Sequence, residues 1–252
     1  MKFQRMLAIV AGALLSGAGV LAQPAQSPQA TPAPMSQQQI NEEMLTELRQ
    51  IRQLLERLTQ PQAPPQPTTA KLTNLAGFAL GRPDAPLTMV EFTDLQCPYC
   101  RQYVTVTFEE IRKNWIDTGR LRYISRDYPL DFHPQAMPAA RAARCAGDQG
   151  KFWEMRMTLM RNANLLSPDY ITKTAADLKL DTKAFASCTA STKFDAEIQA
   201  DLKEGTRIGI NGTPTFVVGK TTAAALEGPM IVGAMPYVQF DAKLKDVLAT
   251  AK

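Results

Sequence analysis

Cys97-Pro98-Tyr99-Cys100 sets two thiols three positions apart, a spacing at which they can close into a small disulfide ring with little movement of the backbone. Such a pair can take up or release two electrons by thiol–disulfide exchange. The flanking residues say where it sits. Residues 87–92, Leu-Thr-Met-Val-Glu-Phe, read as a strand, and from Pro98 onward Tyr103, Val106, Phe108, Ile111 and Trp115 recur near helical spacing. Cys97 is therefore expected in the first turn of a helix over 98–117, ended by Gly119. Unpaired N–H groups and the positive end of the helix dipole stabilise a thiolate there and lower its pKa. Cys100, buried one turn on, gains less.

On the residues alone, two other readings of this tetrapeptide stay open. A structural zinc site needs about four N or S ligands. Beyond the pair, the chain offers Cys145, Cys188 and a single histidine, His133, with no second closely spaced pair. No metal and no cofactor is expected. A permanent structural disulfide is the other reading, against which stands the ease of reducing so tight a ring.

The elements that must position the pair follow from the pattern of the rest. Residues 71–252 have the length of one domain. Residues 78–80 suggest a short edge strand, 81–86 a turn and 121–125 the next strand. From 134 to 209 strand patterns vanish, and 136–146, 152–160, 169–180 and 194–208 suit helices. Strand character returns at 215–218 and 230–232 before a closing helix over 237–248. A βαβ unit, an all-helical insertion, then two strands and a helix make an α/β domain. Met155, Met157 and Met160 fall on an inserted helix and are read as core packing. His133, with Pro134 after it, is read as capping or packing where the insertion starts.

The first 22 residues carry Lys2, Arg5, an apolar stretch over 6–21 and a small-residue pattern ending at Ala22. This reads as a signal peptide cleaved after Ala22, and so as export to the periplasm, where disulfides persist. If Cys97 and Cys100 pair, Cys145 and Cys188 remain as a second pair, read as a structural staple between helices. The formal charge of +4 falls by two when Lys2 and Arg5 leave, and nothing points to a nucleic-acid partner. Arg120, Arg122 and Arg126 are read as a solvated or ion-paired face.

Residues 23–35 read as a disordered leader rich in Pro, Ala, Gln and Ser. In 36–60, Met44, Leu48, Ile51, Leu55 and Leu58 step by alternating fours and threes, the seam of a coiled coil. A proline-rich linker over 61–70 follows. Such a helix alone in water is marginal, so its stripe needs a cover. Self-association into a homodimer or homotrimer through 36–60 is favoured over docking on the domain, because the proline-rich spacer holds the helix away.

Three separated segments resemble the thioredoxin superfamily and, within it, the exported DsbA-like disulfide oxidoreductases. They are Val90-Glu-Phe-Thr-Asp-Leu-Gln-Cys-Pro-Tyr-Cys100, Phe132-His-Pro followed by Ala139-Ala-Arg-Ala-Ala-Arg-Cys-Ala146, and Gly212-Thr-Pro-Thr-Phe216. The resemblance implies a thioredoxin-like fold with a helical insertion. It also implies an exposed nucleophile at Cys97, a resolving thiol at Cys100, and a buried carboxyl at Glu91 that relays the proton of Cys100. Pro214 would be a cis-proline that turns the backbone of Thr213 toward an extended substrate, with Pro98 and Tyr99 tuning the site. Clients would be cysteine-containing secreted proteins, and a membrane partner would reset the pair. Pro-Tyr between the cysteines departs from the Pro-His of the strongest oxidants and implies a milder one. Thr before the cis-proline, Pro-Tyr and an N-terminal oligomerisation segment lean toward isomerase or reductase rather than oxidase. The competing class is an envelope binding or structural protein that keeps the fold without its chemistry.

Overall fold

The structure is a computed structural model that describes residues 36–59, 68–223 and 225–250. The expected signal peptide, the leader and most of the proline-rich linker lie outside the described residues. The chain divides into two compact units, Met1–Gln62 and Ala63–Lys252.

In the first unit, helix α1 runs Gln37–Thr59. Its start follows from the sequence Ser-x-x-Gln: Ser36 Oγ accepts the Gln39 N–H at 3.3 Å, and Gln39 Oε1 accepts the Ser36 N–H at 2.9 Å. The exchange satisfies two donors that a helix end would otherwise leave open. Within this unit Met44, Leu45, Leu48 and Ile51 are half exposed.

The second unit is built on a mixed sheet. Its strands are β1 (Thr69–Leu72), β2 (Phe78–Leu80), β3 (Leu87–Thr93), β4 (Leu121–Asp127), β5 (Thr215–Lys220) and β6 (Leu226–Val232), in the order β1-β6-β5-β3-β4-β2. β3 and β4 run parallel and the other neighbours antiparallel. Every residue of β3 is buried, as Leu87, Met89, Val90 and Phe92 require of a strand covered on both faces. The crossover from β3 to β4 carries α2 (Pro98–Val106) and α3 (Phe108–Ile111), the latter continuing as a π-helical stretch over Arg112–Ile116. Between β4 and β5 lies the insertion: α4 (Ala136–Gly147), α5 (Phe152–Arg161), α6 (Pro168–Asp177), α7 (Thr182–Ala190) and α8 (Asp195–Arg207). Helix α9 (Tyr237–Ala249) closes the chain. Among the described residues no helix is long and apolar enough to cross a membrane.

The main core lies under α2, α4, α5 and α9, where Tyr103, Phe108, Phe216 and Phe240 bring their rings together. Met155 and Met160 are buried in it and Met157 packs against it. The insertion is fastened in two ways. Cys145 of α4 and Cys188 of α7 form a disulfide across 43 residues of sequence. Beside Cys145, Arg144 reaches Asp127 of β4 at 2.6 Å, and Asp201 and Glu197 of α8 at 2.7 and 2.6 Å. Arg126 meets Asp201 at 2.6 Å.

Several expectations change. The helix over 98–117 is interrupted at Thr107, where φ is −111° and the Thr107 hydroxyl donates to the Met235 carbonyl at 2.9 Å. The bend lets Phe108 meet both Tyr103 and Tyr123 edge-on. Strand pairing begins at Thr69, inside the stretch read as linker, because 69–72 ladders onto β6. Helix α7 stands where no helix was expected, its first turn capped by Asp181 Oδ1, which accepts the N–H groups of Lys183 and Ala184. Strand β6 starts at Leu226 rather than 230, running through Gly228 and Pro229. Gly228 is required there, since a side chain would run into the Val218 carbonyl. Of the arginines read as a solvated or ion-paired face, Arg126 is ion-paired to Asp201 and, at 2% exposure, not solvated.

Candidate active site

Cys97 is the N-cap of α2 and Pro98 its first helical residue. Proline suits that position because its missing N–H would have had no partner there and its φ is already helical. The turn before it is held by Asp94, whose side chain is fully buried. Asp94 Oδ1 accepts the N–H groups of Gln96 at 2.7 Å and Cys97 at 3.2 Å. Its Oδ2 accepts the Leu130 N–H at 2.9 Å and the Nδ1–H of His133 at 2.8 Å. One carboxylate thus ties the loop bearing Cys97 to the segment where the insertion begins. This is the packing role of His133, and its acceptor was not foreseen.

The Thr213–Pro214 peptide bond is cis, and the loop lies against the first sulfur: Cys97 Sγ–H donates to the Thr213 carbonyl at 3.4 Å. Both Thr213 and Pro214 are buried. The expectation of an exposed nucleophile is corrected here, because this loop covers Cys97 to 3% exposure. Pro98 and Tyr99 are open to solvent, Tyr99 at 63%.

Both cysteines are free thiols, and their surroundings drive them apart. The Cys97 thiol falls from the ordinary 9.0 to about 6, first because the Cys100 thiol hydrogen-bonds to its sulfur, against the opposing effect of burial, with further help from Thr213 and the backbone N–H groups of Cys100 and Tyr99. Cys100 is pushed well above 9.0, first by burial, then by Cys97 and the charge of Glu91. The lowering at Cys97 expected from the helix start thus owes most to the second cysteine. The arrangement suits attack by Cys97 as thiolate, with Cys100 keeping its proton.

Glu91 lies on β3 between Ser125 of β4 and Phe216 of β5 and is fully buried. It is no edge carboxylate. Its Oε2 accepts the Tyr123 hydroxyl at 2.5 Å and is ion-paired with Arg156 Nη2 of α5. Glu91 Oε1, also buried, has no hydrogen-bond partner among the described residues. Arg156 and Asp94 are the residues that sequence reasoning missed. Arg156 did leave a signal: it interrupts the buried face Phe152, Met155, Leu159 and Met160 of α5. A charge on an apolar stripe implies a buried partner.

The profile of the thioredoxin family matches residues 73–229. The chain belongs to the thioredoxin family. Among solved structures, alpha-DsbA1 of Wolbachia pipientis superposes with a TM-score of 0.62 at 23% identity, covering 74% of this chain and 94% of that one. A thioredoxin-like oxidoreductase from Silicibacter pomeroyi gives a TM-score of 0.54 at 26% identity, covering 67% of this chain and 90% of that one. The thioredoxin-like sheet with its inserted helices is thus a DsbA-type fold. Among curated proteins, the Na(+)/H(+) antiporter NhaA 1 of Mycolicibacterium gilvum is 33% identical over 187 residues, which make up 71% of this chain and 30% of the antiporter. The chain spans between 21% and 30% of the length of such relatives.

Proposed function

We propose that this member of the thioredoxin family is a protein thiol–disulfide oxidoreductase. The opposite displacement of two neighbouring thiols carries the reading: Cys97 lowered to about 6 and Cys100 raised, with a cis-proline loop across the first. Cys97 thiolate attacks a client disulfide, forming a mixed disulfide and releasing one client thiolate. Cys100, once deprotonated, attacks Cys97 Sγ, closing the protein disulfide and releasing the second client thiolate. Glu91 takes the proton from Cys100. Two electrons pass to the client, and run in reverse the same steps oxidise a client dithiol.

Isomerase or reductase work is favoured over oxidation by Pro98-Tyr99 between the cysteines and by Thr213 before the cis-proline. Clients are cysteine-containing secreted proteins, met in the periplasm after cleavage of residues 1–22, and a membrane redox partner resets the pair. The half-exposed stripe of α1 supports assembly into a homodimer or homotrimer through 36–60. A light-scattering mass of one subunit, with that segment intact, would remove the assembly. Insulin reduction and refolding of a scrambled disulfide substrate, with Cys97→Ala as control, test the activity. Activity in neither leaves a binding module.

A further inference from the structure

Helix α5 contributes a charge to the floor of the site, and the proposed exchange leaves it without a task. Arg156 is fully buried, as is Glu91, and the two are paired. Burying two charges carries a desolvation cost that their attraction must offset. A proton acceptor for Cys100 needs only the carboxyl, so the arginine calls for a chemical reason.

The geometry around Glu91 supplies one. Its two oxygens are not equivalent. Oε2 holds Arg156 Nη2 and the Tyr123 hydroxyl, whereas Oε1 is buried and without a partner among the described residues. A carboxylate fixed through one oxygen keeps the other as a free acceptor in a dry setting. The groups that face it can be named from each packed element. From α2 come Cys100 and Tyr103, both of which feel the charge of Glu91, and the buried Tyr103 hydroxyl also lacks a partner among the described residues. From β4 comes Tyr123, from α5 Arg156, and the β5 neighbour Phe216 is uncharged. Asp127, at the end of β4, also feels the charge of Arg156. Arg156 is therefore the cation beside this group, and its charge bears on Cys100 as well as on Glu91.

We propose that Arg156 is a positioning residue for the second half of the exchange. It clamps Glu91 through Oε2 so that Oε1 stays open for the proton of Cys100, and its charge balances first the carboxylate and then the Cys100 thiolate. This rests on the oxidoreductase reading and assigns to the helical insertion a part in the chemistry. In the step itself Cys100 S–H gives its proton to Glu91 Oε1. The thiolate then attacks Cys97 Sγ, the bond from Cys97 to the client breaks, and the client sulfur leaves with the electron pair. Arg156 takes no proton. It holds a net charge of zero on the pair before transfer and stabilises the thiolate after it.

The test separates the two halves. Wild type, Arg156→Met, Arg156→Lys and the double variant Glu91→Gln/Arg156→Met are reduced and mixed with a disulfide-bonded cysteine peptide. Formation of the mixed disulfide and its resolution are followed by acid quench and mass spectrometry across the neutral pH range. In Arg156→Met formation should stay within about twofold of wild type while resolution slows by about tenfold or more, the low end of what a positioned acid or base contributes. Resolution in that variant should also steepen with pH, because Cys100 must lose its proton to solvent, and Arg156→Lys should restore part of the rate. If Arg156→Met does not fold, the double variant decides, since it leaves no buried charge behind. Measured beside Glu91→Gln, it should resolve more slowly still, because it has also lost the cation that stabilises the Cys100 thiolate; equal rates in the two overturn the role of Arg156. Folded variants that resolve at the wild-type rate with the wild-type pH dependence overturn the role of Arg156 and leave the function standing. Failure of wild-type Cys97 to form any mixed disulfide overturns the function itself.

Discussion

Two pairs of cysteines share this domain and behave as different chemical objects. Cys97 and Cys100 stand at the start of one helix, free and unequal in acidity. Cys145 and Cys188 come from two helices of the insertion and are bonded to each other. The first pair has a helix terminus, a loop carbonyl and a charged network around it. The second has α4 and α7 to hold together. What separates them is not the sulfur but what it meets: polar groups around Cys97 stabilise a thiolate, whereas the sulfur of Cys145 is taken up in its bond to Cys188. The comparison teaches that the acidity of Cys97 is a property of the second thiol and the polar groups set around it, while the staple is a property of loop length.

The sharpest way to break this contrast is to remove each pair in turn. Cys97→Ala should abolish both insulin reduction and scrambled refolding, whereas Cys145→Ala/Cys188→Ala should keep the exchange rate. That double variant should instead lose roughly 4 kcal/mol of stability in urea unfolding, from the loop it no longer closes. Equal loss of exchange in the two variants would end the distinction. Next in size, Arg144→Met asks whether charge or sulfur holds the insertion. It strands Asp127 without its cation and leaves Asp201 with Arg126 alone, a loss of about 3–5 kcal/mol, again with exchange retained in the folded fraction.

A pH series sharpens the comparison further. Iodoacetamide alkylation of reduced protein should give a midpoint of about 6 for Cys97, far below the ordinary 9.0. Because the folded value lies below the unfolded one, the thiolate stabilises the reduced fold fully above pH 9.0, and that contribution is lost as pH falls to about 6. The stability difference between reduced and oxidised protein should therefore shift toward the reduced form between those values. Cys100, raised above its ordinary 9.0, acts in the opposite sense and only above that window. A flat difference would show that Cys97 is not perturbed. The smallest effect is that of Thr213→Val, which removes a later contributor to the Cys97 shift. The alkylation midpoint should move up by only part of the total, while Cys145 and Cys188 stay unreactive.

Much of the frame was legible because its signals are local. Strand β3, the helix opened by Pro98 and the helical character of the insertion all announce themselves within a window of a dozen residues. Elements whose reasons lie elsewhere were not legible. β1 is four residues with alternate burial, too short to carry a pattern, and exists because β6 offers a ladder. Gly228 and Pro229 look like a turn until Val218 is seen to press on the glycine. Helix α7 buries only Phe185 fully, so its apolar stripe is faint. At the site the thiols and the cis-proline were readable as motifs. The groups that make them work, Arg156 from 65 residues beyond Glu91 and Asp94 reaching across to His133, are pairings that only the folded chain creates.

The two margins of the sheet carry a last consequence. They are formed by β1 and β2, of four and three residues, so few main-chain groups stand ready to template another chain. Stubby borders of this kind starve fibrillar growth of places to begin.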